Sequence, residues 1–354
     1  MRYPEFLQEK GRIAFIAPSF GANTEPYTSE LNSALKVFKE KRYETVLGPN
    51  AFAGEGIGIS NSPKKCGDEL NEYYLSNNND VIISVGGGEL MCETVDYIDF
   101  EAIKAAKPKW YMGYSDNTNF IFLQATLCDT AGIYAPCAGT FGCLPWHEAV
   151  SDAFDMLTGK KLCVKGYDKF EIESLKSGEN PLVPYNTTEN RELYIYDHKN
   201  KKAVSLVREA RDCKTEFSGR LIGGCLDCLV NLCGTKYDKV KDFTEKYKDE
   251  GIIWFLEACD LNVFSIRRAI WELKSAGWFK YTKGFVFGRP MHLNEPIMNL
   301  NRHNAVTDLL EEFNVPIVMD ADIGHLPPMM PLMCGAYADI SLSGNDINVN
   351  FELK

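Results

Sequence analysis

The chain has 354 residues, 45% of them hydrophobic and 25% charged, with a net charge of -11. This length predicts two domains, and the composition is ordinary for a water-soluble globular fold. The negative charge argues against nucleic acid and anionic membrane surfaces as partners, since both are bound through basic patches.

The N-terminus lacks the apolar core of a signal peptide, and no run reaches the ~18 apolar residues of a membrane-spanning helix. A cytoplasmic location is therefore expected. The twelve cysteines are scattered along the chain, as befits reduced, packed thiols in a reducing compartment. Cys225 and Cys228 have C-x-x-C spacing, yet no second pair or histidine set completes a zinc site. Helix packing is the simpler reading of that pair, and no metal or cofactor is expected.

In chain order, the run from Arg12 to Ser19 reads as a buried strand ended by its proline. Residues 29–42 carry a helical pattern with Leu31, Leu35 and Phe38 on one face. Residues 43–47 form a second strand, 48–63 a glycine-rich turn region and 66–76 a helix. Val81 to Val85 is a third strand running into Gly86-Gly87-Gly88. Residues 89–106 look helical with a break near Asp99. A short aromatic and apolar run, Trp110-Tyr111-Met112, stops at Gly113, and a helix follows from Phe120. A last short helix is expected at 152–158. Strand and helix alternate, which predicts a doubly wound parallel sheet.

The character changes between Gly139 and about Arg220. Residues 163–211 are polar and rich in turn clusters, and are predicted to be a connection with short strands. The second domain is expected from Phe217. It holds a helix at 225–232, a strand at 252–256 ending on Glu257, a helix at 264–276 and a strand at 284–288. The apolar run 315–320 precedes Asp322-Ile323-Gly324-His325. A hairpin turned at Ser343-Gly344-Asn345-Asp346 closes the chain. The predicted division is therefore 1–150, a linker at 151–216, and 217–354.

Chemistry concentrates at Gly113-Tyr114-Ser115-Asp116-Asn117. Strand, sharp turn, serine and helix is the layout of a nucleophile elbow. The alternative is that Ser115 is only a helix N-cap. Gly86-Gly87-Gly88 also ends a strand of the same sheet, so it can share a crevice with Ser115. Glycines let backbone N–H groups approach a reacting carbonyl, as an oxyanion hole requires. Gly87 and Gly88 are the candidate donors on that turn, and the Asp116 N–H on the elbow. A plain tight turn or a phosphate loop are the alternatives, but neither a P-loop nor a dinucleotide fingerprint is present.

A serine nucleophile needs a base. There are five histidines. His198 and His303 are expected to face solvent, and His147 to be structural. His292 stays open, and His325 sits in a proline-bounded loop suited to holding an imidazole. The orienting carboxylate could be Glu257, at the end of an apolar strand, with Asp116, Asp260, Asp320 and Asp322 as rivals. Glu257 could instead pair with Arg267 or Arg268.

Four short motifs then occur in one order: Gly113-Tyr114-Ser115-Asp116, Gly223-Gly224 before a helix, Trp254-Phe255-Leu256-Glu257, and Gly324-His325. In this the chain resembles the LD-carboxypeptidase family of serine peptidases, which includes muramoyltetrapeptide carboxypeptidases and microcin C self-immunity peptidases. The similarity runs from Ala17-Pro18-Ser19 to Pro331-Leu332-Met333-Cys334-Gly335. It implies a catalytic triad of Ser115, Glu257 and His325, with oxyanion donors at Gly87 or Gly88 and at Asp116. It implies an open N-terminal α/β sandwich with a flavodoxin- or Rossmann-like parallel sheet, and a β-rich, barrel-like C-terminal α/β domain. The site would lie where the domains meet, and the protein would be a homodimer.

The implied activity is removal of a terminal D-amino acid from cytoplasmic murein tetrapeptides. Arg220, Arg267 and Arg289 are the candidate partners for the substrate carboxylate. The immunity-type relatives instead cleave aminoacyl-nucleotide amides and stack an aromatic residue from an inserted loop. The 170–215 region matches that layout but offers Tyr185, Tyr194 and Tyr196 and no tryptophan. A non-catalytic murein-peptide binder is the reading from another class.

Overall fold

A computed structural model describes all residues, 1–354. The chain divides into two compact units. The first comprises residues 1–161, 173–186 and 331–334, and the second comprises 162–172, 187–330 and 335–354.

The first unit is built on strands β1 (Arg12–Ile16), β2 (Glu44–Leu47), β3 (Val81–Ser84), β4 (Tyr111–Gly113) and β5 (Gly132–Tyr134). They are parallel and lie in the order β5-β4-β3-β1-β2. The segment Leu332–Cys334 adds an antiparallel edge beside β5. This is a doubly wound order of the flavodoxin type, with its switch point between β1 and β3. The central strands are apolar on both faces, and Ile13 to Ile16 and Val81 to Ile83 are fully buried. Parallel strands covered by helices on both sides require that.

The helices are α1 (Tyr27–Glu40), α2 (Pro63–Leu75), the single turn α3 (Met91–Thr94), α4 (Phe100–Ala105), α5 (Thr118–Cys128) and α6 (Glu148–Leu157). The predicted break near Asp99 is real, because the Asp99 side chain caps α4 by accepting from the Ala102 N–H. Helix α6 starts earlier than expected. His147 Nδ1 accepts from the Ala149 N–H at 3.1 Å and so caps it, which gives that histidine its structural role. Helix α5 is apolar nearly all round and buried, with Phe120 against Tyr111 (4.8 Å between ring centroids) and Tyr74 (5.8 Å). The 173–186 segment is held by Lys176, whose Nζ lies 2.6 Å from the buried Glu30 carboxylate, and by Tyr185 against His147.

In the second unit the strands are β6 (Cys163–Lys165), the short pair β7 (Lys169–Phe170) and β8 (Glu189–Asn190), β9 (Tyr194–Asp197), β10 (Lys202–Ser205), β11 (Lys214–Cys225), β12 (Ile252–Glu257), β13 (Thr282–Gly288) and β14 (Ile317–Ala321). After β15, which is Leu332–Cys334, come β16 (Tyr337–Ser343) and β17 (Asp346–Glu352). Nine of them form one mixed sheet in the order β10-β9-β14-β13-β12-β11-β16-β17-β6. This sheet stays open, so the β-rich α/β fold is as expected while the barrel-like curvature does not close. Residues 163–165 and 194–205 belong to that sheet. The closing hairpin turns at Gly344-Asn345, with Ser343 opposite Asp346.

Strand β11 joins the two halves of the sheet. Its first part pairs antiparallel with β16, and its last part, Arg220 to Cys225, pairs parallel with β12. The fully buried Arg220 marks the change of partner. Its Nε donates to Glu250 Oε2 (2.8 Å), Nη1 donates to the Gly335 carbonyl (2.9 Å), and the guanidinium lies over Tyr247. Helices α7 (Leu226–Leu232), α8 (Val240–Lys246), α9 (Val263–Ser275) and α10 (Asn304–Leu310) complete the unit. Trp254 on β12 stacks on Trp278 (5.8 Å) to fill the core beneath them.

Gly223 on β11 is opposite Phe255 and has φ +150°. A Cβ there would lie 1.7 Å from the Phe255 carbonyl oxygen. Gly234 has φ +73° and open space around it. Gly234→Ala is thus expected to cost about 1 kcal/mol, the backbone penalty alone. Gly223→Ala must also displace a strand, and is expected to cost more than about 3 kcal/mol. Urea unfolding of both variants checks the difference.

Candidate active site

The carboxyl ends of β1, β3 and β4 bring three segments of the first unit together: residues 17–20, the Gly86-Gly87-Gly88 turn and the Ser115 elbow. Ser115 has φ +61°. A non-glycine residue there costs on the order of 1–3 kcal/mol and persists only where its surroundings impose it. The imposing contacts are local. The Ser115 N–H donates to Tyr134 Oη (3.2 Å). Asn117 Nδ2 donates to the carbonyls of Tyr114 (3.0 Å) and Gly86 (2.9 Å), and its Oδ1 accepts from Tyr111 Oη (2.5 Å). The cap residue of α5 is Asn117. Ser115 is therefore not the N-cap of that helix.

The glycine turn lies against this serine. A Cβ on Gly87 would sit 3.1 Å from Ser115 Oγ and 3.0 Å from its Cβ. A side chain at that position would fill the space beside the hydroxyl. The Gly87 carbonyl accepts from the Phe20 N–H (2.9 Å). In a planar trans peptide the following N–H points the opposite way, so the Gly88 N–H is directed away from Phe20. Asp116, adjoining Ser115, is buried.

In the second unit, Glu257 is the last residue of β12 and its side chain is fully buried. Its Oε2 lies 2.8 Å from His325 Nδ1. His325 follows β14 in the loop that the sequence singled out. The approach depends on Gly324, which has φ +103°. A Cβ there would lie 2.6 Å from Glu257 Oε2. Burial by itself would lower the His325 pKa, but the Glu257 carboxylate and the Cys259 thiol outweigh it and hold the pKa well above 6.5. A buried imidazole paired with a carboxylate is oriented for proton transfer through its other nitrogen.

Three of the four rival carboxylates are engaged elsewhere, and Asp260 is exposed. Asp320 accepts from Arg302 and from His303 Nε2 (2.8 Å). Asp322 accepts from Arg289 Nη2 (2.6 Å) and from the Tyr167 N–H (2.8 Å). The Asp116 carboxylate accepts from Ser19 Oγ. Two histidine expectations are corrected by this. His303 is half-buried and paired with Asp320 rather than facing solvent, and His198 Nε2 meets the Val315 carbonyl at 2.9 Å. His292 is exposed and paired with Glu295.

The arginine candidates also change. Arg289 is 2% exposed, bonded to Asp322 and the Asp320 carbonyl, and lies over the Phe170 ring. A guanidinium committed in this way is poorly placed to take a substrate carboxylate, as is Arg220 with its Glu250 partner. Arg267 is half-exposed on α9 and donates to the Asn304 carbonyl (2.9 Å). Cys225 is the N-cap residue of α7, and Cys228 lies in its first turn. The Cys228 thiol and burial push the Cys225 thiol well above its usual range, which suits packing. No helix is long and apolar enough to cross a membrane.

Residues 13–135 match the LD-carboxypeptidase N-terminal domain and residues 218–340 the LD-carboxypeptidase C-terminal domain. A putative carboxypeptidase of Vibrio cholerae is 23% identical over 98% of this chain and 96% of its own. The microcin C7 self-immunity protein MccF of Escherichia coli is 23% identical over 82% of this chain and 79% of its own. Among solved structures, an MccF-like protein from Bacillus anthracis superposes with a TM-score of 0.79 at 21% identity, covering 99% of this chain and all of that one. MccF in complex with aspartyl sulfamoyl adenosine superposes with a TM-score of 0.76 at 20% identity, covering 99% of each chain. The matched family models span both units, and the chain belongs to the LD-carboxypeptidase family.

Proposed function

We propose that this protein is a serine peptidase that hydrolyses the amide bond to a terminal D-amino acid of small murein peptides. Ser115 is the nucleophile, His325 the general base and Glu257 the group that orients His325. The observation that carries this reading is the strained elbow, Ser115 at φ +61° with the glycine turn beside its hydroxyl. The Glu257–His325 pair supports it from the second unit.

The steps follow from ordinary acyl transfer. His325 takes the Ser115 proton while Ser115 Oγ bonds to the amide carbon. The carbonyl oxygen becomes an oxyanion, held by the Gly88 or Gly87 N–H and by the Asp116 N–H. His325 then gives its proton to the leaving amine, and the C–N bond breaks. Water, deprotonated by His325, attacks the Ser115 ester and releases the acid.

A second reading, cleavage of aminoacyl-nucleotide amides, is favoured by the likeness to MccF, which was solved with an aminoacyl sulfamoyl adenosine. Tyr185, on the segment packed against His147, is the aromatic side chain available for stacking there. The engagement of Arg289 and Arg220 leaves Arg267 as the one candidate cation with a half-exposed side chain, so the carboxylate subsite of the first reading is the point most open to test. A murein tetrapeptide and an aminoacyl sulfamoyl adenosine assayed side by side separate the two readings. Ser115→Ala is expected to lower kcat by at least about 10³-fold on the true substrate while the protein stays folded. Full activity in that variant contradicts the proposal.

The base must be neutral to act, and the pair holds His325 protonated above its ordinary pKa of 6.5. The acid limb of kcat/KM is therefore expected above pH 6.5. Glu257→Gln removes the carboxylate that raises the pKa, so the limb should shift down while the rate falls. A pH–rate profile of both proteins checks this, and an unmoved limb argues against the pairing as the source of the shift.

A further inference from the structure

The Asp116 side chain has no part in the steps above, which use only its N–H. Yet this carboxylate is 2% exposed, and its oxygens are engaged by three donors. Oδ2 accepts from Ser19 Oγ at 2.5 Å and from the Met91 N–H at 2.8 Å. Oδ1 accepts from Asn119 Nδ2 at 2.9 Å. All of these groups lie in the first unit.

The positions of the donors matter more than their number. Ser19 directly precedes Phe20, whose N–H holds the Gly87 carbonyl. Met91 opens α3, three residues beyond Gly88. A single carboxylate oxygen therefore holds both the 17–20 segment, which binds the Gly87 carbonyl, and the start of α3 just beyond the glycine turn, from the residue next to the nucleophile. The carbonyl side of the turn is pinned as well, since Gly86 O accepts from Asn117 Nδ2 and from Ser84 Oγ, each at 2.9 Å. Residues 17–19 are themselves fixed. Ser60 Oγ donates to the Ala17 carbonyl (2.6 Å), Thr94 Oγ1 to the Pro18 carbonyl (3.2 Å), and the Ser60 N–H to the Ser19 carbonyl (2.9 Å). The turn thus has little freedom to move relative to Ser115 while Asp116 and Ser19 are intact.

Oxyanion donors act through preorganisation, and a displacement of about 1 Å can cost on the order of 10²-fold in rate. We propose that the Asp116 carboxylate and the Ser19 hydroxyl are a positioning pair, which sets the Gly87–Gly88 turn at its working distance from Ser115. The inference rests on the serine peptidase reading. Neither group touches substrate. Their effect reaches the reaction through the backbone of the turn.

The test uses Ser19→Ala, Asp116→Asn and the double variant of the full chain, assayed on whichever substrate the wild type hydrolyses. Each single variant is expected to lose roughly 10- to 100-fold in kcat with KM nearly unchanged. The double variant should lose little more than the worse single, because both remove one device. The rate of Ser115 labelling by a fluorophosphonate, whose attack also develops an oxyanion, should fall in parallel. Ser19→Ala removes one hydroxyl only, so it reports even where Asp116→Asn fails to fold. Wild-type kcat in folded variants, or a loss seen in KM alone, overturns the positioning role and leaves Ser115 as nucleophile. A wild type with no Ser115-dependent hydrolysis overturns the reading on which the pair depends.

Discussion

The first unit depends on holding one serine where its backbone does not prefer to be. Ser115 at φ +61° is kept there by a closed set of contacts: Tyr134 on its N–H, Asn117 on the flanking carbonyls, and Tyr111 on Asn117. Tyr111 and Tyr134 belong to the buried strands β4 and β5, and Asn117 directly precedes the buried helix α5. The strain is sustained because those elements cannot shift without opening the core. The same packing that builds a parallel sheet with buried strands therefore prepares a hydroxyl at its carboxyl edge. The switch point between β1 and β3 supplies the gap into which the glycine turn fits.

The second unit solves a different problem, that of keeping an imidazole beside a carboxylate in a nearly dry place. Desolvating Glu257 is costly unless a partner compensates, and His325 is that partner. The unit repeats the device with Arg289–Asp322, Arg220–Glu250 and Asp320 between Arg302 and His303. These pairs lie along one sheet, and only Glu257 meets the ring of His325. The others serve the framework. That distinction sets Glu257, the proposed orienting group, apart from the carboxylates of the framework.

Much of this was legible from residue order alone. Ile13 to Ile16 and Val81 to Ile83 announce buried strands by their lack of polar residues, and Gly86-Gly87-Gly88 and Gly113 mark where those strands must turn. The approximate extents of α1, α2 and α9 follow from apolar spacing. What was not legible depends on partners far away in the chain. Nothing near Arg289 reveals Asp322, 33 residues on, so a cation offered to substrate turned out to be internal. His303 and Asp320 are 17 residues apart and read separately as surface and site. The carboxylate of Asp116 was invisible as a clamp because Ser19 is 97 residues away. The open edge of the nine-stranded sheet could not be read from strand patterns, since closure depends on strand tilt and stagger.

We propose Ser115 as the nucleophile and His325 as the base that activates it. The most direct measurement is peptide mapping by mass spectrometry after treatment with a fluorophosphonate, on wild type and on His325→Ala. Stoichiometric phosphonylation of Ser115 is expected in the wild type, with labelling slowed by at least about 10³-fold in the variant. Equal labelling rates in the two proteins, or a modification that maps to a residue other than Ser115, would contradict the proposal.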